Sequence, residues 1–352
     1  MLAAQTRTVT DPLSTISSEA TSLMWKQIAA PAQPFLDGVA CCLREQADQF
    51  EPEIAAYARY ALAAQGKQLR PILVALSGEA TGRLSDAHLR VAVIIEMIHL
   101  ATLVHDDVMD EGRIRRGRPT LAANWGNEIS ILLGDCLFAQ ALKLAAGFPT
   151  TEVCRAVAAA TNTVCSGEIL QNQRRGDFRL SRADYFQMVT MKTAELFALS
   201  CDLGALQSGA PAETRSVLRE YGMTLGTAYQ IYDDCVDLFG IEREAGKSLG
   251  TDLANGKLTL PVLVALEKSN QTERIRLHNL LQDGSAPSLR EVLGILERHG
   301  TLDECRAVMG VSLQQARENL KALPLTSARA GLAQICDYLA KQSAGLGVSY
   351  NS

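Results

Sequence analysis

The chain of 352 residues has few aromatic side chains, with 8 Phe, 8 Tyr and 2 Trp, or 5% of the sequence. Strands favour aromatic and β-branched residues, whereas Ala and Leu, which supply much of the apolar content here, favour helices. No segment combines β-branched residues with the strict alternation of a half-buried strand. The sequence therefore predicts an all-α fold, in a chain long enough to bury a sizeable core.

The sequence also lacks the side-chain spacings of disulfide scaffolds and zinc sites. Its 9 cysteines are scattered without a C-x-x-C pair, and its 5 histidines form no H-E-x-x-H group. We expect the cysteines to be reduced and mostly buried. These spacings do not predict a transition metal bound by histidine side chains.

Neither sign of charge dominates, since 34 basic residues stand against 39 acidic ones for a net charge of −5. This balance disfavours a general nucleic-acid binder and a disordered acidic chain. The first residues lack the apolar core of a signal peptide, and no run of apolar residues approaches the ~20 of a membrane span. We expect no nucleic-acid partner, no integral membrane segment and a cytoplasmic location.

The chain divides into a short leader and one long helical region. Residues 1–20 are rich in Thr, Ser and small residues, which is typical of a disordered leader. Residues 21–352 show helical periodicity interrupted by short Gly, Pro, Ser or Asp segments, without a repeat of fixed length. This pattern predicts a single all-α domain of roughly ten to twelve helices.

Three of the predicted helices bear on the chemistry. The first begins after Ser85, a candidate N-cap, and ends near Met109. The second begins at Ser181, with the Asp184 spacing of a capping box. The third follows Pro211 and carries two glycines four residues apart, Gly222 and Gly226. Such a pair lets another helix approach closely, although each glycine costs ~1 kcal/mol relative to Ala.

The first and third helices each end in the pattern D-D-x-x-D. The aspartates are Asp106, Asp107, Asp110, Asp233, Asp234 and Asp237. The outer two of each motif share a helix face and repel each other, and the helix dipole disfavours negative charge at a C-terminus. One copy is equally consistent with a solvated helix end. Two copies point to a polyvalent cation, and oxygen-only ligands select Mg²⁺, which keeps positions for phosphate oxygens and water.

Basic residues follow both motifs, as a phosphate ester would require. Within eight residues of Asp110 the chain has four arginines: Arg113, Arg115, Arg116 and Arg118. Lys247 and Lys257 follow the second motif, and Lys67 and Arg70 lie in an earlier turn. Any single one of these is equally consistent with a mixed charged surface.

With these motifs in this order, residues 67–266 resemble the trans-type prenyl diphosphate synthases, particularly their single-chain long-chain branch. The segments that carry the resemblance are 66–71, 99–117, 167–171, 192–193, 230–237 and 246–261. Gln65 and Gln68 depart from the family pattern, because many members have Gly and Arg there. Lys67 and Arg70 remain as the binding pair.

The resemblance implies a helical bundle of the isoprenoid-synthase type around a central apolar cavity. It implies an enzyme that ionises an allylic diphosphate and joins the cation to isopentenyl diphosphate, repeatedly. It also implies a homodimer and about three Mg²⁺ ions per site, with Mn²⁺ as a substitute.

Residue roles follow from the same resemblance. The implied metal-binding residues are Asp106, Asp107, Asp110, Asp233, Asp234 and Asp237. Those implied for the allylic diphosphate are Arg115, Lys192, Lys247 and Lys257. Those implied for isopentenyl diphosphate are Lys67, Arg70, His99 and Arg116. The implied catalytic residues are Lys192, Thr193 and Gln230, the last two placing oxygen dipoles beside the cation. Alone, His99 would be interpreted as a satisfied buried histidine, and His105 is interpreted as structural.

Product length is expected to depend on the helix before the first motif. Short-chain members block the tunnel with aromatics four or five residues before the first aspartate, where this chain has Thr102 and Ala101, with Ile98 one turn further. Small residues there predict a product of about C30–C50, each unit burying five more carbons at ~0.8 kcal/mol per methylene. Leu137 or Phe138 is a candidate floor of the tunnel. Ala101→Phe or Ala101→Tyr should then shorten the product to about C15–C20.

Three alternatives remain at this stage. A short-chain synthase of about C15–C20 products differs only in tunnel length. A class I terpene cyclase would have one aspartate motif and a more aromatic cavity. A non-catalytic partner subunit would have lost aspartates or phosphate-binding cations, whereas this chain keeps both motifs.

Overall fold

The structure is a computed structural model that describes residues 12–63, 66–245 and 249–347. Its helices, in chain order, are α1 (Pro12–Ala29), α2 (Gln33–Ala47), α3 (Pro52–Ala63), α4 (Leu69–Thr81), α5 (Asp86–Met109), α6 (Leu121–Trp125), α7 (Asn127–Ala146), α8 (Glu152–Gln173), α9 (Arg182–Val189), α10 (Glu195–Gln207), α11 (Ala212–Phe239), α12 (Glu242–Ala245), α13 (Thr251–Ala254), α14 (Leu260–Lys268), α15 (Gln271–Asp283), α16 (Ala286–Arg298), α17 (Thr301–Leu320) and α18 (Ser327–Ala344). A 3₁₀ turn (Ala30–Ala32) joins α1 to α2, and a π-helical turn (Thr190–Ala194) joins α9 to α10. A two-stranded antiparallel ladder pairs β1 (Ile114–Arg115) with β2 (Arg118–Pro119).

The all-α prediction is therefore confirmed. The helical segments outnumber the predicted ten to twelve mainly because α6, α12 and α13 are very short and two pairs, α1–α2 and α9–α10, run nearly end to end. Helix α1 overlaps the leader predicted over residues 1–20, because its backbone is helical from Pro12. The limits of the domain stay a prediction.

The three helices selected from the sequence begin where predicted. Ser85 precedes α5, and its backbone N–H donates to Nδ1 of His88 at 3.1 Å. Ser181 and Asp184 form a reciprocal capping box at the start of α9, since each side chain accepts from the other residue's backbone N–H. Pro211 precedes α11, where its fixed φ suits the entry to a helix.

Two hydrophobic clusters form the core. One combines side chains of α9, α11 and α14–α18, and the other combines those of α2, α3, α5, α7 and α8. Helices α4 and α10 contribute to both clusters. Helix α5 ends in the first aspartate motif, α11 carries the second, and the π-helical turn leads directly into α10.

The glycine pair of α11 allows the close contact that the sequence predicts. A methyl group added at Gly222 would lie 2.6 Å from the carbonyl oxygen of Phe197, and one added at Gly226 would lie 2.6 Å from Cα of Ala194. Both distances are shorter than side chains tolerate, so α11 can pack against the π turn and α10 only with glycine at these positions.

Two described helices, α5 and α7, are long and apolar enough to cross a membrane by length and composition. Helix α5 is a core helix, since 67% of its most apolar window is buried in the protein. The corresponding figure for α7 is 39%, and part of its apolar surface is exposed. All nine cysteines lie in the described part of the chain and are free. Only Cys201, Cys235, Cys305 and Cys336 are buried, so the prediction that most of them are buried is wrong.

Candidate active site

A cavity of about 820 Å³ lies between the C-terminal half of α5, α8, the π turn and α11. The carboxylates that line it are Asp106, Asp107, Asp110, Glu111, Glu168, Asp233, Asp234 and Asp252. The cationic residues that line it include Arg70, Arg115, Arg116, Lys192 and Lys257. The fold therefore brings both aspartate motifs and most of the predicted phosphate-binding residues to one space.

In the first motif, two aspartates are held by cations. Asp107 Oδ1 accepts from Nε and Nη2 of Arg115 at 2.8 and 2.7 Å. Asp110 accepts from Arg175 Nη2 at 2.8 Å and from Lys257 Nζ at 2.6 Å. Burial raises the pKa of Asp110, but Lys257 outweighs it, so the pKa lies below its usual value.

Asp106 has a different environment. Its burial raises the pKa to about 6, with Lys192 opposing the shift and Glu168 adding to it. A buried carboxylate without enough positive charge retains its proton more tightly. An additional cation in the cavity would therefore stabilise the charged form of Asp106.

In the second motif, Asp233 is half-buried, whereas Asp234 and Asp237 are buried. Asp234 accepts from Tyr185 Oη at 2.5 Å and from Gln230 Nε2 at 2.7 Å. Burial, with Asp252 next, raises the pKa of Asp234 to about 8. Asp233 lines the cavity beside it. These contacts make Asp234 a buried support for the neighbouring aspartate and glutamine.

Asp237, by contrast, is absent from the cavity lining and 2% exposed. Its carboxylate accepts from Thr251 Oγ1 and from the backbone N–H of Asp252, both at 3.2 Å, and its carbonyl accepts from the N–H of Gly250 at 2.8 Å. This aspartate anchors the start of α13 below the site. Its predicted metal role stays a prediction, and the contacts show a structural one.

The π-helical turn presents two adjacent residues to the cavity. Lys192 Nζ lies 2.5 Å from Glu168 Oε2 and donates to Gln171 Oε1 at 2.9 Å. Burial works to lower the pKa of Lys192, but Asp106 and Glu168 outweigh it and raise the pKa, so the ammonium stays charged. Thr193 Oγ1 donates to Gln230 Oε1 at 2.7 Å. The three predicted catalytic residues thus belong to two hydrogen-bonded groups: Lys192 with two residues of α8, and Thr193 with Gln230 of α11.

The turn approaches α8 at a glycine. A methyl group added at Gly167 would lie 2.7 Å from the backbone nitrogen of Lys192. A wide π turn is a frequent feature of functional sites, and this one brings Lys192 and Thr193, neighbours in sequence, to the same cavity. Glycine at position 167 is what allows the backbone to reach that place.

The residues predicted for isopentenyl diphosphate gather at the other end of the cavity. Arg70, His99 and Arg116 line it, whereas Lys67 is not among the lining residues and its ammonium lies 5.2 Å from the ring of Tyr338. Burial, followed by Arg70 and Arg116, holds the pKa of His99 well below its usual value, so the ring is neutral near pH 7. A neutral histidine can donate one hydrogen bond to an anion without adding charge.

The guanidinium groups of Arg70 and Arg116 lie in closely packed surroundings at that end of the cavity. Arg70 lies over the ring of Phe197, 4.9 Å from its centroid, and its buried Nε makes no hydrogen bond to any described residue. A methyl group added at Gly66 would lie 2.6 Å from Nη2 of Arg116. Arg116 itself has a positive φ of 53° in the turn between β1 and β2. An orphaned buried donor fits an anion-binding position.

The chain-length candidates separate by position. Thr102 and Phe138 line the cavity. Ala101, Ile98 and Leu137 are 0%, 1% and 0% exposed, are packed in the hydrophobic core and are not among its lining residues. A side chain enlarged at Thr102 would enter the cavity, whereas one enlarged at Ala101 would press on the core.

Several site residues escaped the sequence interpretation. Glu168 and Gln171 lie in a segment that carries the family resemblance, but no role is predicted for them. No sequence pattern singles out Tyr185, Arg175 or Asp252. The Gly-rich segment around Asp252 could have drawn attention to it, because its glycines indicate a close backbone approach. Lys247 lies outside the described residues.

The donor set fits a hard divalent cation. Its atoms are carboxylate oxygens, which Mg²⁺ and Ca²⁺ prefer. Within the described ranges, no group of three His, Cys, Asp or Glu side chains is arranged to hold an ion alone. The residues therefore fit an ion whose remaining ligands are oxygens from a bound molecule or water.

Comparison with known proteins agrees with this geometry. Residues 51–296 match the family Polyprenyl synthetase. The chain is 34% identical to a short chain isoprenyl diphosphate synthase of Methanothermobacter thermautotrophicus, over 84% of this chain and 93% of that protein. It is 32% identical to the octaprenyl diphosphate synthase of Escherichia coli, over 84% and 92%.

Solved structures are similarly close. A decaprenyl diphosphate synthase of Rhodobacter capsulatus superposes with a TM-score of 0.84 at 32% identity, covering 90% of this chain and 98% of that one. A polyprenyl synthase of Caulobacter crescentus, solved with calcium and isoprenyl diphosphate, gives 0.86 at 31% identity, covering 90% and 97%.

Proposed function

This chain belongs to the polyprenyl synthetase family, and we propose that it is a trans-prenyltransferase that condenses an allylic diphosphate with isopentenyl diphosphate repeatedly, to about C30–C50. One observation carries the proposal. A single cavity holds both aspartate motifs, with Arg115, Lys192 and Lys257 on their side and Arg70, His99 and Arg116 at the other end. Two separated cationic ends suit two diphosphates that must meet by their hydrocarbon parts.

The allylic diphosphate is placed against the aspartates. Asp106, Asp110 and Asp233 would hold Mg²⁺, which supplies charge neutralisation of the leaving diphosphate. Lys257 is buried and Lys192 is half-buried, and the ammonium groups of both add to this neutralisation. As the C–O bond breaks, the electron pair stays on the diphosphate oxygen, so charge stabilisation there lowers the barrier directly.

The allylic cation is held beside neutral oxygen atoms. The hydroxyl group of Thr193 donates a hydrogen bond to Oε1 of Gln230, so the lone pairs of the Thr193 oxygen remain available as a weak dipole. The isopentenyl double bond attacks the cation to form the new C–C bond, and one proton then leaves that unit. The departed diphosphate is the base near enough to accept it, so the new allylic diphosphate is ready for another cycle.

Long products are favoured over short ones by the wall of the cavity. The side chain at position 102 is a threonine, and aliphatic residues of the lining include Leu103, Val164 and Leu196. A class I cyclase is disfavoured because aspartates of both motifs, Asp106, Asp110 and Asp233 among them, line the site. A non-catalytic subunit is disfavoured because these aspartates line the same cavity as Arg115, Lys192 and Lys257.

The direct test is product analysis with purified protein, farnesyl and isopentenyl diphosphates and Mg²⁺. Asp233→Asn should lower turnover by ~10²-fold or more, since it removes charge from the position where the leaving group is stabilised. Asp37→Asn, on exposed α2, is the matched control and should keep wild-type turnover. Near-normal turnover in Asp233→Asn would contradict the assignment.

We also propose a homodimer formed through α7. This helix exposes three large apolar side chains, Ile131, Leu132 and Leu142, at 45%, 61% and 37%, and Ile169 of α8 is 58% exposed. Ile131 and Ile169 also line the cavity, so Leu132 and Leu142 are the exposed apolar side chains that a second copy of the chain would cover. Leu132→Arg should convert a dimer to a monomer in sedimentation velocity, and a monomeric wild type would refute the proposal. The cytoplasmic location stays a prediction.

A further inference from the structure

Asp110 is the one aspartate of the first motif that the structure surrounds with two cations. Its Oδ1 accepts from Nη2 of Arg175 at 2.8 Å, and its Oδ2 accepts from Nζ of Lys257 at 2.6 Å. Each oxygen of the carboxylate therefore already has a charged partner. A divalent cation cannot bind Asp110 with full strength unless one of these partners leaves.

The two cations differ in how firmly they are held. The Lys257 side chain is 6% exposed and has Asp252 as a second carboxylate at 3.6 Å. The Arg175 side chain is 26% exposed, and its Nε is buried without a hydrogen bond to any described residue. Arg175 therefore has spare donor capacity and is the more exposed of the two side chains, so it is the partner that an incoming ion displaces more easily.

The backbone around Arg175 keeps the guanidinium near the site after such a displacement. The N–H of Gly176 donates to the carbonyl oxygen of Gly256 at 2.8 Å, directly before Lys257. Both glycines have positive φ, 70° and 69°, which this tight approach of two turns requires. The side chain can turn away from Asp110 while its backbone stays fixed to the segment that carries the lysine.

We propose that Arg175 occupies Asp110 in place of the divalent cation while the site is empty, and moves to a diphosphate oxygen when cation and diphosphate bind together. The proposal rests on the function proposed above, because it requires a cation at Asp110. Arg175 then makes metal binding and diphosphate binding dependent on each other. The diphosphate accepts hydrogen bonds from the guanidinium of Arg175, and the divalent cation binds the carboxylate of Asp110 that Arg175 has left. By linkage, each ligand tightens the other by the same factor.

The test measures Mn²⁺ binding by calorimetry, with and without inorganic pyrophosphate, so that no turnover is needed. Arg175→Gln should bind Mn²⁺ alone about tenfold more tightly than wild type, since a charge-assisted hydrogen bond no longer competes. The enhancement by pyrophosphate should shrink by about the same factor. Arg175→Lys keeps the charge and should stay near wild type in both titrations.

Arg179→Gln is the matched control, because that arginine lies on the same turn, is 90% exposed and pairs only with Asp177 among the residues described. It should leave both titrations unchanged. If wild type binds no Mn²⁺ even with pyrophosphate, the metal site and the proposed function fail. If wild type binds both but Arg175→Gln matches it, Arg175 merely closes the turn and this proposal alone is overturned, as it is when Arg175→Gln only lowers the melting temperature.

Discussion

Replacing Thr102 by tyrosine should shorten the product without stopping the first condensation. Thr102 lines the cavity and precedes Asp106 by four residues, which places it about 6 Å along α5 from that aspartate. One turn of helix is close to the length of one isoprene unit. A tyrosine ring there would close the tunnel just beyond the first units, so chains should end at about C15–C20.

The fold should tolerate this change because the new ring enters a space of about 820 Å³ rather than the core. Ala101→Tyr is the informative contrast, since Ala101 is 0% exposed and is not among the lining residues. Overpacking of that kind costs roughly 1–3 kcal/mol or more, and should lower the melting temperature by several degrees. Thr102→Val, which has the same shape, is the matched control for product length.

The assay is chromatography of radiolabelled products made from farnesyl and isopentenyl diphosphates, together with the rate of the first addition. Thr102→Tyr should give the short products at a first-addition rate within about threefold of wild type, a change of under 1 kcal/mol in the barrier. Thr102→Val should give wild-type products. Long chains from Thr102→Tyr would show that the tunnel does not pass this residue, and would refute the ruler argument while leaving the prenyl transfer intact.

Arg116→Ala should mainly raise the Michaelis constant for isopentenyl diphosphate, whereas Lys192→Ala should mainly lower turnover, because only the latter faces the leaving group; steady-state kinetics with each substrate varied separates them. Hydrogen exchange over residues 249–259 should slow when Mg²⁺ and a diphosphate analogue bind, since that segment carries Lys257, and unchanged exchange would contradict closure over the site. Burial lowers the pKa of His88, so below about pH 6.5 the unfolded chain binds a proton at this histidine more readily than the folded chain does. The free energy of unfolding should therefore fall as the pH falls. Urea unfolding at pH 7.5 and 5.5 should show a larger decrease in this free energy for wild type than for His88→Gln.

The helices and the two motifs could be predicted because their signals are local. Ser85, Ser181 and Pro211 mark helix starts through chemistry that acts within a few residues, and D-D-x-x-D repeats can be recognised in any context. The close approach of another helix at Gly222 and Gly226 could also be predicted, because residues four apart lie on the same face of a helix.

The contacts that set each side chain's role could not be predicted in this way. Ala101 and Thr102 are adjacent on α5, and no local pattern shows which of them faces the cavity. The packing of the neighbouring helices decides it: Thr102 lines the cavity, and Ala101 lies in the core. Asp237 repeats the pattern of Asp110 but anchors α13, because α13 happens to pass beneath it. Arg175 is brought to the site by a turn 65 residues further along the chain, a distance at which no local pattern acts.

The π-helical turn at Thr190–Ala194 has a consequence for how this sequence can change. A π turn accommodates one extra residue inside a helix, so the segments on either side keep the angular registers that they would have without it. Removing one residue from the turn would let an ordinary helix close there, and the wide turn that brings both Lys192 and Thr193 to the cavity would be lost. Adding or removing one residue within α9 or α10 would instead rotate one part of the helix against the other by about 100° and cost buried contacts with the neighbouring helices. Lengthening or shortening of this chain should therefore be tolerated in the loops on either side of α9–α10 but not within it.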